Sequence, residues 1–178
     1  MKVLVVSSSD IQGGAARAAF RLHEGLQRIG LCSEMLVQSK LSDEKKVISD
    51  ANKINKELAK LSSRIDRLPL QIYPNRTREV YSLEWLPDGI AKQVNQCRPD
   101  IINLHWIFAG YVKIETIAKL NKPIVWTLHD MWVFTGGCHY SLDCDRYRNS
   151  CGKCPQLGSN KDWDLSRWVW QRKAKAWQ

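Results

Sequence analysis

A chain of 178 residues is long enough for one domain with a real core and too short for two full ones. Its apolar fraction of 44% is ordinary for a globular protein, and it holds no run of about 18 apolar residues of the kind that crosses a membrane. The formal net charge of +9 suits an anionic partner (nucleotide phosphate, acidic lipid headgroup or nucleic acid) and equally suits a basic solvated surface.

The first element is a buried strand over Val3–Val6. Ser7-Ser8-Ser9-Asp10 ends this apolar run too early for a secretory signal, so a cytoplasmic protein is expected. After Gly13-Gly14, apolar residues at Ala15, Ala18, Ala19, Leu22, Leu26 and Ile29 mark one face of a helix, which Gly30 stops. Glu34–Gln38 reads as a second strand and Leu41–Asp50 as a polar, charged loop. Ile54, Leu58, Leu61, Ile65 and Leu68 fall on one helical stripe that Pro69 ends. The stretch Leu70–Leu86 carries no clear periodicity. Pro87 then opens a helix with Ile90, Val94 and Cys97 inward.

Two further strands follow, Asp100–Leu104 and Ile124–Leu128, with a short helix between them through Ile114, Ile117, Ala118 and Leu120. Near-continuous apolar strands alternating with helices mean a parallel sheet covered on both faces: an α/β, Rossmann-like fold. Trp132–Asn160 reads as a cysteine-rich loop, and Trp163–Gln178 as a helix with a basic face. Its Trp, Arg and Lys residues suit peripheral contact with an anionic membrane, or a Trp face packed on the sheet with the charges in water.

Three features carry candidate chemistry. The turn Gly13-Gly14-Ala15-Ala16-Arg17 joins a strand to a helix N-terminus, where free N–H groups and the positive dipole end suit a phosphate. It matches neither the dinucleotide nor the P-loop glycine pattern, and a plain tight turn has the same composition. His105 and His129-Asp130 each follow a strand, and ligands of open parallel sheets bind beyond the strands' carboxyl ends. Finally, Cys138, Cys144, Cys151 and Cys154 crowd into a short segment ending in a CxxC turn. In a cytosolic chain this spacing favours a closed, structural four-thiolate zinc site over two disulfides or unligated thiols, with the neighbouring His139 as a substitute ligand.

Together, the segments Asp100–Ile107, Pro123–Trp132, Thr135–Tyr140 and Cys151–Leu157, with the opening Ser9-Asp10…Gly13-Gly14-Ala15-Ala16-Arg17 and Arg21-Leu22-His23, resemble the N-terminal half of bacterial family 4 (group 1) glycosyltransferases that make surface polysaccharides. The resemblance implies half of a GT-B fold, the acceptor-side domain of an enzyme moving a sugar from a nucleotide-sugar to a glycan or lipid-linked acceptor. It places Gly13 and Gly14 near the donor phosphates and His129, as the catalytic-site histidine, near the transferred sugar. Arg17, His105 and Asp130 are added as further substrate-binding candidates from their positions. It also implies no catalytic metal, so that a zinc would be structural. The family's donor domain, with its acidic E-x7-E-type motif, has no counterpart in this sequence. The domain 1–178 is therefore expected to be incomplete at its C-terminus, to need a donor domain or partner chain, and to be inactive alone. The alternative is a non-catalytic acceptor-binding or scaffold subunit with a structural zinc. A zinc-ribbon nucleic-acid binder fits least, because it needs no parallel sheet with histidines at its strand ends, and no nucleic-acid partner is expected.

Overall fold

The computed structural model describes residues 1–49 and 61–177. Its elements are β1 (Lys2–Ser9), α1 (Gly14–Arg28), β2 (Cys32–Ser39), β3 (Val47–Ser49), α2 (Ile90–Cys97), β4 (Ile101–Leu104), α3 (Ile114–Ile117), β5 (Ile124–Trp126) and α4 (Leu165–Ala176). The strands form one parallel sheet in the order β3-β2-β1-β4-β5.

Alternation along β1 explains why its apolar run is unbroken. Val3 and Val5 face α1 and pack with Ala19, Met35, Val37 and Val47. Leu4 and Val6 face the opposite way, into the larger core built with Leu36, Ile90, Val94, Ile102, Leu104, Ile114 and the fully buried Trp132. A strand buried on both faces needs apolar residues at every position, and burial of each such side chain stabilises by roughly 1.5–3 kcal/mol.

The expected alternation of strands and helices holds in β1, α1, β2, β4 and β5, with physically informative shifts. The inward face of α1 is Ala16, Ala19 and His23, whereas Leu22 is 38% exposed and Ile29 is 73% exposed. Two small alanines let the helix lie close to the sheet. His23 is tolerated inside because Ser33 Oγ (2.8 Å) and Gln27 Nε2 (2.7 Å) meet its two ring nitrogens. A third-strand edge, β3, appears inside the expected polar loop, because Val47 alone is buried there and pairs beside Met35. Helix α2 begins at Ile90, not at Pro87; Asp88 Oδ1 accepts the Ile90 N–H at 2.9 Å and starts it. β5 is an edge rather than a covered strand, with Val125 55% exposed.

Residues 61–66 are helical, but Leu61 and Leu68 are exposed; Ile54 and Leu58 of the expected stripe lie outside the described residues. The buried residue of that helical stretch is Asp66, whose carboxylate accepts the N–H groups of Leu83 (3.1 Å) and Trp85 (3.4 Å). These bonds organise the segment that lacked periodicity, by a side chain instead of a strand ladder.

The basic face of α4 is partly interior. Asp164 caps the helix by accepting from Ser166 N and Arg167 N, which contributes about 1 kcal/mol. Lys173 is buried, its ammonium 3.2 Å from the Trp132 ring centroid and donating to the carbonyls of Trp132 and Thr135. Arg172 pairs with both Glu115 oxygens (2.6 and 2.9 Å) and donates to the carbonyls of Leu83 (2.9 Å) and Glu84 (2.7 Å). Trp177 packs on Trp126 and Trp132, while Trp163 stays 64% exposed.

Candidate active site

β1 has β2 on one side and β4 on the other, so the strand order reverses at β1. The crevice beyond the carboxyl ends of such strands is where doubly wound sheets bind ligands. The exits of β1 and β4 are stitched together there by Ser8 N–H to Trp106 O, at 2.7 Å.

The β1 exit leads into the glycine turn. Asp10 is fully buried and accepts the N–H groups of Ile11 (2.9 Å), Leu41 (3.0 Å) and Ser42 (2.8 Å). Burial opposes its charge, but these N–H donors outweigh it and hold the carboxyl below its usual range. Asp10 thus fixes the loop and leaves the turn itself unencumbered. Gly13 has φ 94°, a conformation that favours glycine, and no side chain caps α1. A Cβ built on Gly13 or Gly14 would meet nothing within 4 Å. The start of the helix at Gly13 and Gly14 is therefore exposed and unobstructed, with no acidic residue in the first turn and the exposed Arg17 on it. This is the arrangement an anionic phosphate needs.

The β4 and β5 exits bring two histidines together. His105 Nδ1 lies 2.9 Å from His129 Nε2. Asn103 Nδ2 ties the strands beneath them, to Val125 O (3.1 Å) and Thr127 Oγ1 (3.2 Å). His105 is 3% exposed, and burial, then the charge of His129, lowers its pKa to about 4. It is therefore neutral at neutral pH. His129 is only half-buried. In either tautomer of the pair, His129 Nδ1 is that ring's remaining polar atom. His105 sits behind it and touches a ligand only through it.

Asp130 turns away from the edge. Its Oδ2 accepts from His139 Nδ1 (2.7 Å) and its Oδ1 from Trp132 N–H (2.9 Å). Burial raises the carboxyl's pKa, and the His139 contact overcomes this to bring it below the usual range. His139 Nε2 in turn meets Ser82 Oγ at 2.9 Å. Serine, histidine and aspartate in a row have the geometry of a nucleophilic triad, but Ser82 is 5% and His139 2% exposed. No substrate reaches them, so the row is a brace between residues 82 and 130. Nothing in the sequence spacing marks it. It also corrects the expectation that His139 stands in as a metal ligand, since both ring nitrogens are engaged.

Cys138 and Cys154 are buried, Cys144 and Cys151 half-buried, and none forms a disulfide. All four line one small cavity. Burial is the first cause that pushes up the thiols of Cys138, Cys151 (to about 12) and Cys154 (to about 11). Among the described residues, no three His, Cys, Asp or Glu side chains are already disposed to hold a metal ion. A wider cavity of about 710 Å³ runs over the same segment, past Thr77, Asp143, Arg146 and Asn160, and none of the strand-end groups lines it.

A profile of Glycosyltransferase Family 4 matches residues 12–177, which takes in the glycine turn, both strand-end histidines and all four clustered cysteines. The chain belongs to Glycosyltransferase Family 4. The Rossmann-like sheet of this Family 4 chain is a GT-B type domain. It is 23% identical over 171 residues to the Escherichia coli (strain K12) protein named "Putative colanic acid biosynthesis glycosyl transferase WcaC", an alignment covering 89% of this chain and 40% of that protein. The Family 4 chain thus spans less than half the length of that relative. No solved structure matches it significantly. No helix among the described residues is long and apolar enough to cross a membrane.

Proposed function

We propose that this Family 4 domain is the acceptor-side half of an enzyme that transfers a sugar from a nucleotide-sugar donor to a glycan or lipid-linked acceptor in surface-polysaccharide biosynthesis. A donor-binding unit, in a further domain or a partner chain, faces the sheet's carboxyl edge. The observation that carries this reading is the uncapped, unobstructed N-terminus of α1 standing on the same edge as the outward ring of His129.

In the transfer, the bond from the anomeric carbon to the diphosphate oxygen breaks, and a bond from the acceptor hydroxyl oxygen to that carbon forms. The acceptor's proton passes to the departing diphosphate or to solvent, and the nucleoside diphosphate leaves with the bonding electron pair. The first-turn N–H groups of α1 and the Arg17 guanidinium stabilise that developing charge, which is electrostatic assistance by preorganised donors. His129 Nδ1 hydrogen-bonds the sugar in transit. His105, neutral and buried, is a positioning residue that fixes the ring of His129, and Asp130 braces the loop that carries it.

The test is His129→Ala in the enzyme paired with its donor-binding unit. Turnover is expected to fall about 100-fold, within the range for loss of one positioned hydrogen-bonding group, while the melting temperature stays near the parent's. Unchanged turnover in the folded variant overturns the assignment. If the parent itself transfers no sugar but binds glycan acceptors, the domain is the non-catalytic acceptor-binding subunit.

Peripheral attraction to an anionic membrane belongs to the same proposal. Arg172 and Lys173 are engaged internally, so this attraction falls to exposed cations such as Arg21, Lys122, Lys161 and Lys175. It should appear as vesicle binding at low salt that disappears within the physiological range.

A further inference from the structure

The cysteine-bearing segment is the part of the site region that sugar transfer leaves without a role. Cys138, Cys144 and the Cys151–Cys154 turn sit at different points of one short segment, yet all four cysteines line one cavity with Gly136, Arg146, Gly152 and Ser166. That cavity measures about 20 Å³. It accommodates a single small particle and no organic ligand.

The walls are held from several directions. Cys138 sits on an isolated bridge to Tyr81. The turn from Ser150 to Lys153 runs through four successive residues with positive φ (68, 57, 93 and 45°). It is pinned to the start of α4 at three points. Gly152 N–H donates to Ser166 Oγ (2.9 Å), Cys154 N–H to Asp164 Oδ2 (2.9 Å), and Arg167 Nη2 to Cys151 O (2.9 Å). A Cβ on Gly136 would crowd Cys151 Sγ at 2.9 Å, so the backbone approaches the sulfur as closely as it can. Arg167 Nε, beside this turn, is buried with no hydrogen-bond partner among the described residues.

We infer that Cys138, Cys144, Cys151 and Cys154 form a closed tetrathiolate site for one zinc ion, which fastens the 132–160 segment to the N-terminal end of α4. Four sulfurs with no open position are the ligand set of a structural zinc. The thiols stand around the cavity as a cradle instead of a finished shell. Binding removes one proton from each thiol to solvent and turns the sulfurs inward to roughly 2.3 Å from the metal. The four thiolates outweigh the ion's two positive charges. Arg146 on the cavity wall and the positive end of α4 offset the excess. The unpartnered Arg167 N–H is a ready donor to a thiolate sulfur.

This inference stands apart from the sugar-transfer reading, and its test reads metal and thiols. The full chain, purified under reducing conditions without chelator, is analysed for metal and then reloaded with cobalt(II). About one zinc per chain is expected, together with the thiolate-to-cobalt charge-transfer absorption of a tetrahedral sulfur site. Chelation should raise the number of fast-reacting thiols from the two outside the cluster to all six. Cys144→Ser and Cys151→Ser should each lose the metal, whereas Cys32→Ser keeps it. The inference is overturned if the reduced parent carries no zinc and shows no cobalt–thiolate band, or if both cluster variants retain a full equivalent. Disulfides among the four in protein kept reduced overturn it too. Because the cobalt spectrum is read on the parent, a variant that fails to fold does not rescue or sink the idea.

Discussion

Glycines mark both the open edge of the sheet and the cysteine-bearing segment, for opposite reasons. At Gly13 and Gly14 an added Cβ meets nothing, so the space is left for something outside the chain. At Gly136, Gly137 and Gly152 an added Cβ would run into the Ser166 carbonyl, the Tyr81 ring and the Asp162 carbonyl. There the chain itself fills the space. Gly25 and Gly30 are equally open, so emptiness speaks for a ligand only at a turn on the sheet's carboxyl edge, whereas crowding marks packing, a distinction that composition does not contain.

The strongest way to break this contrast is Gly136→Ala. Its new methyl group collides with backbone and a sulfur, so stability should fall by about 3 kcal/mol, at the top of the range for overpacking a core. Urea denaturation measures it, and a loss under 1 kcal/mol would show that the segment is looser than described.

The next effect is on pH. His105 titrates near 4 in the folded chain against about 6.5 when unfolded. A depressed imidazole pKa means that the folded state binds fewer protons. The associated stability is complete above about 6.5 and is lost as pH falls toward 4, by about 3 kcal/mol. His23, also lowered by burial, adds a smaller fall of the same sign. His105→Gln should flatten the larger part of the curve. An NMR titration of His105 with its midpoint near 6.5 would contradict the buried pair.

The smallest expected change is at the open edge. Gly14→Ala should leave stability within about 0.5 kcal/mol of the parent, since its methyl group meets no atom. It should nonetheless raise KM for the nucleotide sugar in the paired enzyme, because the methyl group enters the space assigned to phosphate. Equal KM values would mean that the phosphates pass elsewhere.

Much of the fold was legible because buried parallel strands require apolar residues at every position, as in β1 and β4. The edge at β3 was not, since its three residues, Val47–Ser49, carry one buried side chain amid charged neighbours. The inward face of α1 is ambiguous in the sequence because alanine periodicity is compatible with two adjacent stripes, and the buried His23 selects one of them. At the site, the glycine turn and the two strand-end histidines were visible from their position after strands. Their division of labour was not. Whether His105, Asp10 or Asp130 points outward depends on partners such as Leu41, Ser42 and His139, which no local pattern specifies. The convergence of the four cysteines rests likewise on turns set by α4, outside the segment itself.

The grip of α4 has a consequence for how the protein is made. Arg172 donates to carbonyls 89 and 88 residues earlier in the chain, and Lys173 to carbonyls 41 and 38 residues earlier. The large core around Trp132 therefore lacks its last wall until the end of α4 has left the ribosome. Until then the nascent chain exposes its aromatic cluster to chaperones, and a message broken before codon 172 yields a sticky intermediate instead of a smaller folded domain.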